Sequence, residues 1–153
     1  AVIDRGIMLK GFFHTGFVVR DLEQSVAFYR DVLGLEVKGR YERHGEFAER
    51  LLGFPGAHVK VAFLSMGNGH ALELIKYFVP LSAEGQLARN DLCASHLAFY
   101  IEGIEDLYAN LGQRGMRFIN PPASLEEDGR TVRRALYARD PDGNWLEFVE
   151  IVP

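Results

Sequence analysis

"FFHTGFVVRDLEQSVAFYRDVLGLEV", residues 12–37, decides the fold once it is set beside "ASHLAFYIEGIEDLYANLGQRGMRF", residues 94–118. In the first stretch Phe13, Thr15, Phe17 and Val19 alternate with His14, Gly16, Val18 and Arg20. That period of two predicts a strand. Asp21 then predicts an N-cap, with Gln24 three residues on in a capping-box arrangement. Leu22, Val26, Tyr29 and Leu33 follow at helical spacing, and Gly34 is a natural residue to end the helix. A constant offset lays His14 on His96, Phe17 on Phe99, Val19 on Ile101, Leu22 on Ile104 and Val26 on Tyr108. The second helix carries Leu107 and Leu111 on one face and ends near Gly115. Each unit is a histidine-bearing strand followed by an amphipathic helix.

The repetition continues outward. Strand-like runs follow the first helix at 35–42, 58–66 and 71–78, the last two joined by the turn "GNG" at 67–69. Runs at 116–120, 131–139 and 144–151 follow the second, with "DPDG" at 140–143 as the matching turn. A second constant offset lays Leu72 on Leu146, Glu73 on Glu147 and Leu74 on Phe148. Each half therefore reads as βαβββ, with a histidine on its first strand and a glutamate on its last. This predicts an α+β fold: one domain over 1–153 made of two tandem βαβββ modules, 12–78 and 94–151. The halves differ in their insertions. "HGEFAERLLGFPGA" (44–57) predicts a short helix with Phe47 and Leu51 at i and i+4, and 77–94 joins the modules.

Strand alternation sorts these residues onto faces. Thr15, Phe17, Val19, Leu72, Leu74, Leu97, Phe99, Ile101, Leu146 and Phe148 form an apolar face suited to the helices. The opposite face carries His14, Glu73, His96 and Glu147 beside the small residues Gly16, Ala71 and Ala98. A sheet curling around that face would make a cleft. Two unpaired carboxylates at strand centres are costly unless something binds them. A divalent cation would do so: two carboxylates balance its charge and two neutral imidazoles complete an N₂O₂ set, with positions left for water or substrate. That pattern makes His14, Glu73, His96 and Glu147 the candidate metal ligands. The donor set admits Ni, Co, Zn, Mn or Fe. His44 reads as a loop residue, His58 as the start of a strand, and His70 as an exposed turn residue. Cys93 lies outside the repeated pattern.

Composition bounds the partners. The chain has 153 residues, 48% hydrophobic and 25% charged, as soluble globular domains are. A formal net charge of −4 argues against a nucleic-acid footprint. No apolar run approaches the roughly 20 residues of a membrane span. The N-terminal stretch lacks the basic region and apolar block of a secretory signal. The single cysteine, Cys93, rules out an internal disulfide and favours a reducing, cytoplasmic setting.

The motifs "HTGFVVRDLEQSVAFYRDVLGLEV", "ALELIKY", "SHLAFYIEGIEDL" and "YARDPDGNWLEFVE" together resemble the vicinal oxygen chelate superfamily, the group of glyoxalase I, methylmalonyl-CoA epimerase, extradiol dioxygenases and bleomycin-resistance proteins. The resemblance implies paired βαβββ modules forming a U-shaped, partly closed β-barrel cleft around a divalent metal. It implies His14, Glu73, His96 and Glu147 as ligands, and a small substrate chelated through two neighbouring oxygens. The His-Glu-His-Glu set is similar to that of glyoxalase I, in which a ligand glutamate also accepts the substrate's α-proton. Glu73 and Glu147 are then the candidate catalytic bases of a metal-dependent isomerase, lyase or epimerase working through an enediolate. Tyr137 and Arg20 are candidate substrate contacts, and Arg40 is a further cation of the same kind. An extradiol-type dioxygenase is the first alternative, but no histidine stands in "EEDGRTVRR" before Leu136 and Tyr137, and a fourth ligand fits that branch poorly. A non-catalytic small-molecule (antibiotic) binding protein is the second. The resemblance also implies a homodimer, with modules paired within one chain or exchanged between two.

Overall fold

The structure is a computed structural model that describes the backbone of residues 2–4, 7–114 and 116–153; Gly115, expected at the end of the second helix, lies outside the described residues. A short hairpin, β1 (Val2–Asp4) with β2 (Ile7–Met8), forms a two-stranded sheet of its own. The first main sheet contains β3 (His14–Val18), β4 (Glu36–His44), β5 (His58–Ser65) and β6 (Ala71–Val79), in the order β3-β6-β5-β4. The second contains β7 (His96–Tyr100), β8 (Arg117–Phe118), β9 (Ala123–Glu127), β10 (Arg130–Arg139) and β11 (Trp145–Ile151). Its order is β7-β11-β10-β8, with β9 also pairing β10. In both sheets the first strand lies parallel to the last, and the hairpins are antiparallel. The two sheets do not close into one barrel. Among the described residues, no helix is long and apolar enough to cross a membrane.

Helix α1 (Leu22–Ala27) starts where the cap chemistry places it: the Asp21 carboxylate accepts from the Gln24 backbone N–H at 3.0 Å. The expected helix over Leu22–Leu33 then changes pitch. Residues Phe28–Val32 form a π-helical turn, in which the Leu33 N–H donates to Phe28 O, five residues back. Gly34 ends it with a φ of 80°, a conformation that a Cβ disfavours. Helix α2 (Glu46–Leu52) forms where expected, but Ala48 is its buried residue, while Phe47 and Leu51 face solvent. His44 closes strand β4 rather than sitting in a loop, and it pairs across from His58. Strand β9 forms in a segment whose charged run, "SLEE", carries no alternation to announce it. Helix α3 (Ile104–Gln113) buries Ile104 and Leu111.

One core serves both sheets. Phe17, Leu72 and Leu74 of the first sheet, Val19 just past β3, and Leu136, Leu146 and Phe148 of the second belong to a single buried cluster. Leu22, Val26 and Tyr29 from the first helical segment and Ile104 and Leu111 from α3 join it. Each large aliphatic or aromatic side chain so buried contributes about 1.5–3 kcal/mol.

The "DPDG" turn locks the halves together. Asp140 is 1% exposed, and its carboxylate accepts four hydrogen bonds. Oδ2 takes the Tyr29 hydroxyl at 2.8 Å and Asn144 Nδ2 at 2.9 Å; Oδ1 takes the backbone N–H groups of Asp142 and Asn144. Burial raises the Asp140 carboxyl above its usual range, and the bonds from Asn144 and Tyr29 oppose that rise. Burial, followed by the nearby Asp140, pushes the Tyr29 phenol well up as well. Asp142 holds the start of α1 by accepting from Arg20 N and Ser25 Oγ. Replacing Tyr29 by Phe leaves one Asp140 lone pair buried without a donor. The expected loss is about 1–3 kcal/mol of stability, read from urea unfolding midpoints at unchanged slope; an unchanged midpoint would show that the latch carries no energy.

Candidate functional site

The parallel pairing of β3 with β6 sets His14 opposite Ala71 and Gly16 opposite Glu73. Residues 14 and 16 share a face, so Glu73 stands on the same face as His14, one register step along. Gly16 leaves that space open: a Cβ built there would lie 3.5 Å from Glu73 Oε1. The carboxylate leans to the imidazole, with His14 Nε2 and Glu73 Oε2 3.7 Å apart. Phe13 and Phe63 flank the His14 ring, Phe63 edge-on.

The second sheet repeats the arrangement. β7 and β11 pair His96 with Trp145 and Ala98 with Glu147. His96 Nε2 and Glu147 Oε2 are 3.1 Å apart. Tyr137 on β10 stands directly across from Glu147 and brings its hydroxyl to 3.5 Å from His96 Nε2. Partial burial raises the Tyr137 phenol, and the Glu147 charge adds to that, while Arg89 opposes it.

The four expected ligands thus form two His–Glu pairs, one on each sheet. Among the described residues, no group of three or more His, Cys, Asp or Glu side chains lies close enough to hold one metal ion. The core explains why. Phe17, Leu72 and Leu74 in one sheet, and Leu146 and Phe148 in the other, point into the shared cluster. The alternating His–Glu faces are therefore both turned away from it. The glutamates are 21% exposed in each pair, and the histidines 31% and 44%. The next residue along each face is an exposed apolar one: Val18 beyond Gly16, and Tyr100 beyond Ala98.

The other expected site residues divide. Tyr137 joins the His96–Glu147 pair. Arg20 does not join either pair: its guanidinium bonds Glu84 at 2.5 Å, in a crevice of about 450 Å³ under the 80–95 segment. Arg40 pairs with Glu23. His58 bonds Glu42 at 2.6 Å and holds that carboxyl below its usual range, and His70 contacts Thr15 Oγ1 rather than standing free in its turn. Two site residues escaped the sequence reading. Trp145 and Arg89 line a cavity of about 130 Å³ with Ser95, His96 and Tyr137. Trp145 was visible as the one tryptophan, placed two residues before Glu147. Arg89 sits in an aperiodic segment that gives no such signal.

A family model described as the Glyoxalase/Bleomycin resistance protein/Dioxygenase superfamily matches residues 11–148. The chain is 29% identical over 143 residues to a 2-epi-5-epi-valiolone epimerase of an Actinomyces species, covering 90% of this chain and 78% of that one. It is 30% identical over 144 residues to the lactoylglutathione lyase of Schizosaccharomyces pombe, covering 89% of this chain and 46% of that enzyme. This chain therefore spans about half the length of that relative. A solved glyoxalase family protein from Bacillus cereus superposes with a TM-score of 0.85 at 21% identity, covering 98% of this chain and 99% of its own, a likeness of fold.

Arg139 holds the 80–95 segment against the second sheet. Its guanidinium lies 3.7 Å from the Trp145 ring centre and donates to Gly143 O and Leu87 O. Replacing Arg139 by Ala is expected to remove about 1–2 kcal/mol of local stability. The readout is amide hydrogen exchange, which should speed up at residues 87–94 before it does in β10 or β11; uniform exchange across all three would contradict this.

Proposed function

The chain belongs to the Glyoxalase/Bleomycin resistance protein/Dioxygenase superfamily, and from that membership we propose that it is a divalent-metal-dependent isomerase, lyase or epimerase, glyoxalase I-like, acting on a small substrate with two neighbouring oxygens. The observation that carries the reading is the repeated pair: His Nε2 to Glu Oε2 distances of 3.7 and 3.1 Å at equal register in both sheets. Donor atoms held about 2.1 Å from one metal at tetrahedral or octahedral angles lie roughly 3–3.4 Å apart. The His96–Glu147 pair falls within that span and the His14–Glu73 pair lies just beyond it, and the N₂O₂ set suits Ni, Co, Zn, Mn or Fe. The named relatives that act as an epimerase and a lyase support the isomerase–lyase reading over ring cleavage. In this reading 12–78 and 94–151 are the two modules.

The separation of the pairs bears on how the set is completed. His14 and Glu73 of one chain would meet His96 and Glu147 of the partner subunit, giving a homodimer with two equivalent centres. The exposed Val18 and Tyr100 beside the pairs support this, since apolar residues at matching places on two polar faces suit a contact between copies.

When bound, the cation supplies the positive charge that stabilises an enediolate formed from the chelated substrate. The chain's own residues do the rest. His14 and His96 would hold the cation through their ring nitrogens. Glu73 or Glu147 takes the α-proton and returns it, which requires a carboxylate within hydrogen-bond reach of that carbon. Gly16 and Ala98 leave the room in which such a carboxylate can move.

The test is solvent deuterium exchange at the α-carbon across a panel of α-hydroxycarbonyl compounds, including the methylglyoxal–glutathione hemithioacetal. Glu73→Gln or Glu147→Gln, whichever removes the base, should slow exchange by about 10²–10⁴-fold. Full exchange in both variants would sink the base assignment. Chelation with EDTA should abolish exchange and readdition of one of the five metals should restore it; ligand binding and turnover that survive chelation would refute the metal requirement.

A further inference from the structure

The segment between β6 and β7 places a cation, Arg89, against the second His–Glu pair. Among the described residues, no carboxylate pairs with it. Its guanidinium carbon instead lies 4.5 Å from the Tyr137 ring centre and 5.6 Å from that of Trp145. The backbone around it is fixed at both ends. Leu87 O accepts from Trp145 Nε1 at 2.9 Å and from Arg139 Nη2 at 3.3 Å. Ala88 N donates to Asp91 Oδ2 at 2.7 Å, and Asp91 N returns a bond to Ala88 O. Aromatic stacking holds a guanidinium by its faces and leaves its in-plane N–H donors uncommitted.

Arg89 lines a cavity of about 130 Å³ together with Ser95, His96, Tyr137 and Trp145. That is room for roughly four waters, enough for a carboxylate. A guanidinium matches a carboxylate with two parallel N–H···O bonds, giving orientation as well as charge. We infer that Arg89 is a specificity-determining residue that binds a carboxylate of the substrate beside the His96–Glu147 pair. The substrate class narrows to α-hydroxycarbonyl compounds that also bear a carboxylate. The catalytic meaning of this contact rests on the metal-centre reading; the anion site itself does not.

Trp145 is the chain's one tryptophan, so its fluorescence reports on the cavity. The metal-free chain is titrated with malonate, with malonamide as the uncharged control and inorganic phosphate as the competing oxyanion. The expected result is a saturable response to malonate and none to malonamide. Arg89→Gln should weaken malonate at least tenfold. Arg89→Lys should fall between, because it keeps the charge and loses the fork, and Lys38→Gln on the other sheet should bind as the unaltered chain does. Absence of a saturable response, or equal affinity in Arg89→Gln, overturns the proposal; tighter binding of phosphate than malonate overturns the carboxylate assignment. Co(II) binding is followed separately by its visible absorption. Failure to load Co(II) would count against the metal centre alone, and the malonate titration would still decide the role of Arg89.

Discussion

In each half of the chain, a strand carrying a histidine lies parallel to the strand carrying a glutamate, and the glutamate stands opposite the residue two places beyond the histidine. That pairing, Gly16 with Glu73 and Ala98 with Glu147, puts a carboxylate and an imidazole on one face within 3.7 and 3.1 Å. A slip of one residue in either pairing would send the glutamate into the core. The residue at the paired position is small in both sheets, and a Cβ built at Gly16 would meet Glu73 at ordinary contact distance. The apolar alternation that buries Phe17, Leu74, Leu146 and Phe148 is what makes the slip costly.

The same core decides where the pairs look. Both apolar faces close on one cluster that includes residues of both helical segments, and the Asp140–Tyr29 bond ties those layers together. With both apolar faces committed inward, the polar faces must turn outward and away from each other. In the proposed metal centre, a single chain would supply two half-sites. Two copies related by a two-fold axis could bring unlike halves together twice, which is how a self-complementary interface works.

Much of this was legible in the sequence, for identifiable reasons. The strands bearing His14, Glu73, His96 and Glu147 alternate cleanly, and the internal repeat located each residue twice. The cap at Asp21 and the turn before Trp145 have fixed local chemistry. Legibility failed where structure is set by distant contacts. Nothing in "FYRDV" signals a π-helical turn. The apolar pair Phe47 and Leu51 satisfies helical spacing, yet the helix buries Ala48 and leaves both of them exposed. Arg89 owes its place to Trp145 and Tyr137, dozens of residues away. The sequence could name four ligand-type residues but could not reveal that they fall into two outward-facing pairs, because that depends on how the modules pack.

Subunit complementation tests the central claim, a centre shared between two copies, most directly. One variant, His14→Ala with Glu73→Ala, keeps only the second pair; the other, His96→Ala with Glu147→Ala, keeps only the first. Metal content is measured for each alone and after mixing with subunit exchange. The account predicts no bound metal in either variant alone and recovery in the mixture, up to one intact centre per mixed dimer. A mixture that stays empty, while the unaltered chain binds metal, would contradict it.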